Sequence, residues 1–155
     1  MIYIGVDVGL FGGCAVLTPD GPHVYDTPII TDGTKHQYNI PEMVALLRPF
    51  AGEAYAAVEA VHSMPKQGIA SAFGFGRGLG LWEGILTALN IRFDKIPPQR
   101  WQKVMLDGMP RDKSSSILRA QQLFPSVALT RKKDHGRSDA LLLAEYLKRQ
   151  YGGAA

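Results

Sequence analysis

Met1–Thr18, MIYIGVDVGLFGGCAVLT, reads as two strands joined by a tight glycine turn. Ile2, Ile4, Val6 and Val8 give the first strand its apolar residues, and Cys14–Leu17 forms the second. Gly9, Gly12 and Gly13 bound the turn between them. One residue breaks the pattern. Asp7 stands inside the β-branched run, where a core-facing carboxylate carries a large desolvation cost unless it is paired or binds a cation. It points either to solvent from an edge strand or into a site, and the rest of the chain decides which.

The 155 residues fit one domain with a core of its own, and 46% hydrophobic with 20% charged residues is an ordinary globular balance. No stretch approaches the roughly 20 apolar residues that span a bilayer, and the amino terminus enters a strand without the basic segment of a secretory signal. A single cysteine, Cys14, excludes an internal disulfide and a cysteine-based metal site. These features predict a cytoplasmic protein with no membrane association.

Charge is unevenly spread. Residues 1–60 hold two basic residues against seven acidic ones, a net of −5. Residues 100–137 hold nine basic residues against three acidic ones, a net of +6. The nine are Arg100, Lys103, Arg111, Lys113, Arg119, Arg131, Lys132, Lys133 and Arg137. They form either solvated helix faces or a surface that holds a polyanion beside an acidic centre.

After the first hairpin, Pro19-Asp20-Gly21 makes a second turn and His23–Thr27 a third strand, giving an antiparallel meander. Residues 29–39 carry no periodicity and read as a loop. Asn39 caps a helix with Pro41 in its first turn and Met43, Leu46, Leu47 and Phe50 as its apolar stripe. Ala54–Ala60 reads as a buried strand whose only charge is Glu59. Ile69–Leu89 reads as a long helix in which Gly76, Gly80 and Gly84 recur every four residues, a spacing that offers a flat face to another backbone. Gly74–Gly78 is no phosphate loop, since no Walker lysine follows. Ile91–Ile96 is a fifth strand, Pro97-Pro98 opens a short helix through Met105, Asp112–Phe124 is an amphipathic helix, and Ser138–Tyr151 is the last. Strands followed by alternating helices and strands describe one mixed α/β domain.

Three carboxylates share apolar neighbours: Asp7 in the first strand, Glu59 ending the fourth, and Asp139 opening the last helix before Ala-Leu-Leu-Leu-Ala. If the first and fourth strands are neighbours, Asp7 and Glu59 lie close together and the last helix brings Asp139 over them. Uncompensated, they repel and their pKa values rise. Hard divalent cations relieve that repulsion, Mg²⁺ being held by a few carboxylates with water and phosphate oxygens. Two such ions, roughly 3.5–4 Å apart, activate a water and stabilise the leaving oxygen in phosphodiester hydrolysis. Asp134 and His135 precede Asp139 by five and four residues. A helix that begins early puts His135 on the face of Asp139, whereas one that begins at Arg137 or Ser138 leaves Asp134 to reach back from the loop.

These residues resemble a known family. The first strand with Asp7, the strand-end Glu59 followed by a loop and a long small-residue helix, and Asp134-His-Gly-Arg-Ser-Asp-Ala-Leu-Leu-Leu-Ala144 resemble the RuvC type of Holliday junction resolvase. The resemblance is strongest to its phage-like members, within the RNase H-like superfamily, and it runs along nearly the whole chain. It implies a single RNase H-like domain with a mixed five-stranded sheet, three antiparallel strands then parallel ones, flanked by helices. It also implies a homodimeric, Mg²⁺-dependent endodeoxyribonuclease with two ions, Mn²⁺ as a substitute, and a four-way DNA junction as substrate, in the cytoplasm of a bacterium or a phage-infected host.

Asp7, Glu59 and Asp139 match the family's carboxylates. The family's fourth ligand, an Asp or His three residues before the last Asp, is replaced here by Gly136, so that role passes to His135 or Asp134. Lys103 and Lys113 match lysines near the scissile phosphate, where a cation neutralises charge on a transferring phosphoryl group. The segment His62–Phe75 matches the region set at the junction centre. There His62, Phe73 or Phe75 stacks on an unpaired base, or the phenylalanines pack in the core, and Lys66 and Arg77 hold phosphates nearby. Arg100, Arg111, Arg131, Lys132, Lys133 and Arg137 complete the expected DNA-binding set, and Trp82 and Trp101 are expected in the core. Two other readings stand beside this one: an RNase H-like nuclease acting on other branched or hybrid nucleic acids, and an inactive junction-binding module, which would have lost a carboxylate.

Overall fold

Strands β1 (Ile2–Asp7), β2 (Gly13–Thr18) and β3 (Gly21–Asp26) form the expected meander, each paired antiparallel with the next. The structure, a computed structural model, describes residues 1–62 and 64–153. Beyond the meander lie a hairpin of β4 (Ile29–Asp32) and β5 (Lys35–Tyr38), then α1 (Ile40–Leu47), β6 (Ala54–Glu59), α2 (Ile69–Ala88) and β7 (Arg92–Ile96). The helices α3 (Pro98–Met105), α4 (Lys113–Leu123) and α5 (His135–Tyr151) follow, with a 3-10 turn at Lys132–Asp134. The main sheet has the order β3-β2-β1-β6-β7, with β1–β6 and β6–β7 parallel. This is the mixed sheet the sequence implied.

Side-chain alternation divides the core into two layers. Ile4, Val6, Cys14, Val16, Ala56 and Val58 face α1 and α2, with Trp82 among them. Tyr3, Ala15, Leu17, Tyr55 and Ala57 face α3, α4 and α5, with Trp101 among them. Asp7 and Glu59 carry odd numbers like the second set, and the period of two places them on the face that α5 covers. α5 sits directly on β1 because Gly5 has no side chain: a Cβ there would run into the backbone of Ala140 and Ala144.

The sequence reading differs from the structure in two places. Residues 29–39 are a two-stranded hairpin, not a loop, turning through Gly33 at φ +58°. Tyr38 is its one buried side chain, so the ribbon has no alternating apolar face to betray it. The last helix begins at His135, three residues earlier than Ser138. The 3-10 turn feeds straight into it, and the Ser138 hydroxyl donates to the Asp134 carbonyl at 2.8 Å, which carries Gly136 inside the helix.

Candidate active site

The β1–β6 register pairs Val6 with Val58, so the next residue of each strand, Asp7 and Glu59, meets its counterpart at the same end of the sheet. α5 brings Asp139 and, one turn earlier, His135 over that end. The amino terminus of α4 brings Lys113, held by Asp112, whose carboxylate accepts the Ser115 backbone N–H at 2.8 Å. All five side chains line one cleft of 480 Å³, whose other walls are the β1–β2 turn, Tyr38 and Phe75.

The electrostatics are those of crowded carboxylates. Asp7 is pushed well above the usual carboxylate range by burial, then by the neighbouring charges of Glu59 and Asp139. Glu59 is raised by burial, against the indole N–H of Trp101, which donates to Oε1 at 3.2 Å. Asp139 is raised to about 7 by burial, although a hydrogen bond from Ser116 opposes the shift; the charge of Glu59 adds to it. His135 is lowered by burial and by Lys113, which favours a neutral imidazole.

Three crowded carboxylates of this kind suit a hard cation. One further observation fits: Asp139 Oδ1 is buried and, among the described residues, has no hydrogen-bond partner. The set is not a closed shell in these rotamers, since among the described residues no three His, Cys, Asp or Glu side chains are gathered as a metal site.

Of the two alternatives for the fourth ligand, His135 lines the cleft and Asp134 does not. Asp134 is 1% exposed and turned towards Arg131, whose backbone N–H and Nε donate to it at 2.7 and 2.8 Å. Burial of Asp134 is outweighed by these donors, and its pKa lies below the usual value. Arg131 also grips Asp26 at the end of β3 with two hydrogen bonds, at 3.0 and 2.8 Å, and Arg137 donates to the same carboxylate at 2.8 Å. Lys133 stands 3.8 Å from it. Three cations expected on DNA therefore surround Asp26, and two of them pin α5 to the edge of the sheet.

Lys132, Arg100, Lys103 and Arg111 are exposed. Lys103 stands on α3 outside the cleft lining, whereas Lys113 is within it. His62, Lys66 and Arg77 are exposed, with Lys66 in the left-handed region at φ +67°. Phe73 and Phe75 are not core residues: they are 73% and 40% exposed, and Phe75 reaches the cleft. Trp82 and Trp101 are fully buried, as expected. The sequence reading missed Ser116 and Tyr38. Ser116 was in principle legible, lying three residues after Lys113 on one face of α4.

No family model matches the chain. The chloroplastic Holliday junction resolvase MOC1 of Chlamydomonas reinhardtii is 33% identical over 110 residues, covering 66% of this chain. This chain spans 12% of that protein's length. A structure described as T. thermophilus RuvC in complex with Holliday junction substrate superposes with a TM-score of 0.66 at 18% identity, covering 100% of this chain and 98% of that one. The fold is that of RuvC. A second Thermus thermophilus RuvC structure matches with a TM-score of 0.60, at 18% identity over 98% of this chain and 97% of that one. In this chain the ends of β1 and β6 lie beneath the start of α5, which is where Asp7, Glu59, Asp139 and His135 gather. Among the described residues no helix is long and apolar enough to cross a membrane.

Proposed function

We propose that this chain is a metal-dependent, structure-selective endodeoxyribonuclease that cuts four-way DNA junctions. The observation that carries the reading is the convergence of Asp7, Glu59 and Asp139, from three separate elements, with Lys113 and His135 in a single cleft of a RuvC fold. The similarity to a Holliday junction resolvase supports the choice of substrate.

In this reading Asp7, Glu59 and Asp139, with His135 beside them, hold Mg²⁺, and Mn²⁺ in its place. Divalent cations held by these residues would supply activation of a water and stabilisation of the leaving oxygen of the phosphodiester. Lys113 presents its ammonium to the charge that develops on the scissile phosphate. Phe75 supplies an aromatic face on the wall of the cleft for a base splayed from the junction, and Phe73, His62, Lys66 and Arg77 extend that surface. Lys103, Arg100, Arg111 and Lys132 bind phosphates of the arms, and Lys133, Arg131 and Arg137 border them.

Cutting two opposed strands calls for two centres, and we assign the working form as a homodimer. The open face of α2 supports this: Ile69 is exposed, and among the described residues a Cβ at Gly76, Gly80 or Gly84 would meet nothing within 4 Å. The test is cleavage of a synthetic four-way junction, a linear duplex and an RNA–DNA hybrid by wild type and Asp7→Asn, with Mg²⁺ or chelator. Paired cuts in the junction alone, absent with chelator and in the variant, are expected. Equal cutting of the hybrid moves the assignment to a general RNase H-like nuclease, and junction binding without cutting to a binding module.

A further inference from the structure

Trp101 is buried completely in the layer formed by α3, α4 and α5, yet one edge of it faces the site. The backbone dictates this placement. Glu59 pairs with Ile96 across β6–β7, the Ala60 N–H donates to the Ile96 carbonyl at 2.8 Å, and Pro97-Pro98 then turns the chain into α3. Within one helical turn Trp101 comes back beneath the end of β6, where its Nε1 meets Glu59 Oε1 at 3.2 Å. A glutamate has three rotatable side-chain bonds, and at a strand end it sweeps a wide arc unless something holds it. A donor on one oxygen restrains that sweep at the wall of the cleft, which Glu59 lines.

Trp82 makes the comparison within the same molecule. It is as deeply buried, in the opposite layer, and among the described residues its Nε1 has no hydrogen-bond partner. A buried indole here thus tolerates an idle N–H, so packing alone does not account for the contact made by Trp101.

We propose that Trp101 is a positioning residue, whose indole N–H sets the Glu59 carboxylate as an oxygen donor for a divalent cation in the cleft. Groups that orient metal ligands from behind change affinity about 10–100-fold when removed. The inference rests on the metal-dependent reading above and adds to it the part that holds one ligand in place.

The test compares wild type, Trp101→Phe and Trp82→Phe, full-length and without DNA, with Mn²⁺ alone as the probe and the free ion followed by electron paramagnetic resonance. Wild type and Trp82→Phe should bind alike, and Trp101→Phe about tenfold more weakly. The two substitutions remove the same atoms from equally buried positions, so a structural role lowers thermal stability in both and leaves the binding curves together. Trp82→Phe also leaves Trp101 as the sole tryptophan of the chain, and its emission should change saturably with added Mg²⁺. That measurement decides the matter should Trp101→Phe fail to fold, and an emission that ignores Mg²⁺ overturns the proposal. Coincident Mn²⁺ curves for a folded Trp101→Phe and for Trp82→Phe overturn the role of Trp101 alone. Wild type that binds no Mn²⁺ instead removes the metal-dependent reading, and the positioning role with it.

Discussion

Gly12 and Gly136 meet backbone to backbone: a Cβ built at 136 lies 2.8 Å from the carbonyl carbon of Gly12 and 2.8 Å from the carbonyl oxygen of Phe11. This contact seats the first turn of α5 on the β1–β2 turn and leaves no room for any side chain at 136. It gives a physical reason why a ligand cannot stand three residues before Asp139 in this chain, and why the neighbouring His135 is the side chain in the cleft.

Gly136→Ala follows directly. Alanine normally stabilises a helix interior over glycine by about 1 kcal/mol. Here the new methyl meets rigid backbone, and overpacking costs about 1–3 kcal/mol. The variant should therefore be less stable, with Tm lower by roughly 2–6 °C, as scanning calorimetry would read. A Tm equal to or above wild type would show that the turn yields.

Lys113→Met should lower single-turnover cleavage of a junction by about 10²–10³-fold, the scale for losing one group that stabilises transition-state charge. Junction affinity measured with chelator present should stay within roughly threefold, because one phosphate contact among many is lost. A matching loss of affinity would make Lys113 a binding residue only.

Asp26 controls acid stability. Its burial, which raises the pKa, is outweighed by hydrogen bonds from Arg131 and Arg137 and by their charges, so the folded-state pKa lies below the ordinary 3.8. A depressed carboxylate contributes stability above its unfolded pKa and loses it as pH falls through the folded one. Wild-type Tm should therefore drop from pH 4 downwards more steeply than that of Asp26→Asn. At neutral pH the variant should be weaker by about 1 kcal/mol, given how exposed the group is. Parallel Tm curves for the two proteins would remove Asp26 from this role.

Salt dependence separates two kinds of cation. Lys132 is exposed and, among the described residues, forms no ion pair, whereas Arg137 is bonded to Asp26. Lys132→Ala should reduce the slope of log K against log salt for junction binding by about 0.9. Arg137→Ala should leave the slope nearly unchanged and lower Tm. Equal slope changes in both would place Arg137 on phosphate.

The legible parts of the chain were those with a period or a misplaced charge. The meander announced itself through β-branched alternation and glycine turns, and Asp7, Glu59 and Asp139 through carboxylates set among apolar neighbours. Less visible were features that depend on pairing across space. Tyr38 anchors a hairpin with no apolar stripe, Trp101 looks like any core aromatic until its N–H is followed to Glu59, and Asp134 and His135 were separable only once the helix start was known. Charge counting counted Arg131 and Arg137 as free because their partner, Asp26, lies more than a hundred residues away.

Because α5 rests on the bare backbone of Gly5 and carries Asp139 and His135, the acidic centre has an order of assembly. All seven strands precede α5 in the chain, and α5 carries two of the five groups gathered in the cleft, His135 and Asp139. Those groups arrive only when α5 docks across β1, and any local opening that lifts α5 takes them away again. The chain must therefore be made through α5 before the cleft is complete, and a local opening that lifts α5 dismantles the acidic centre.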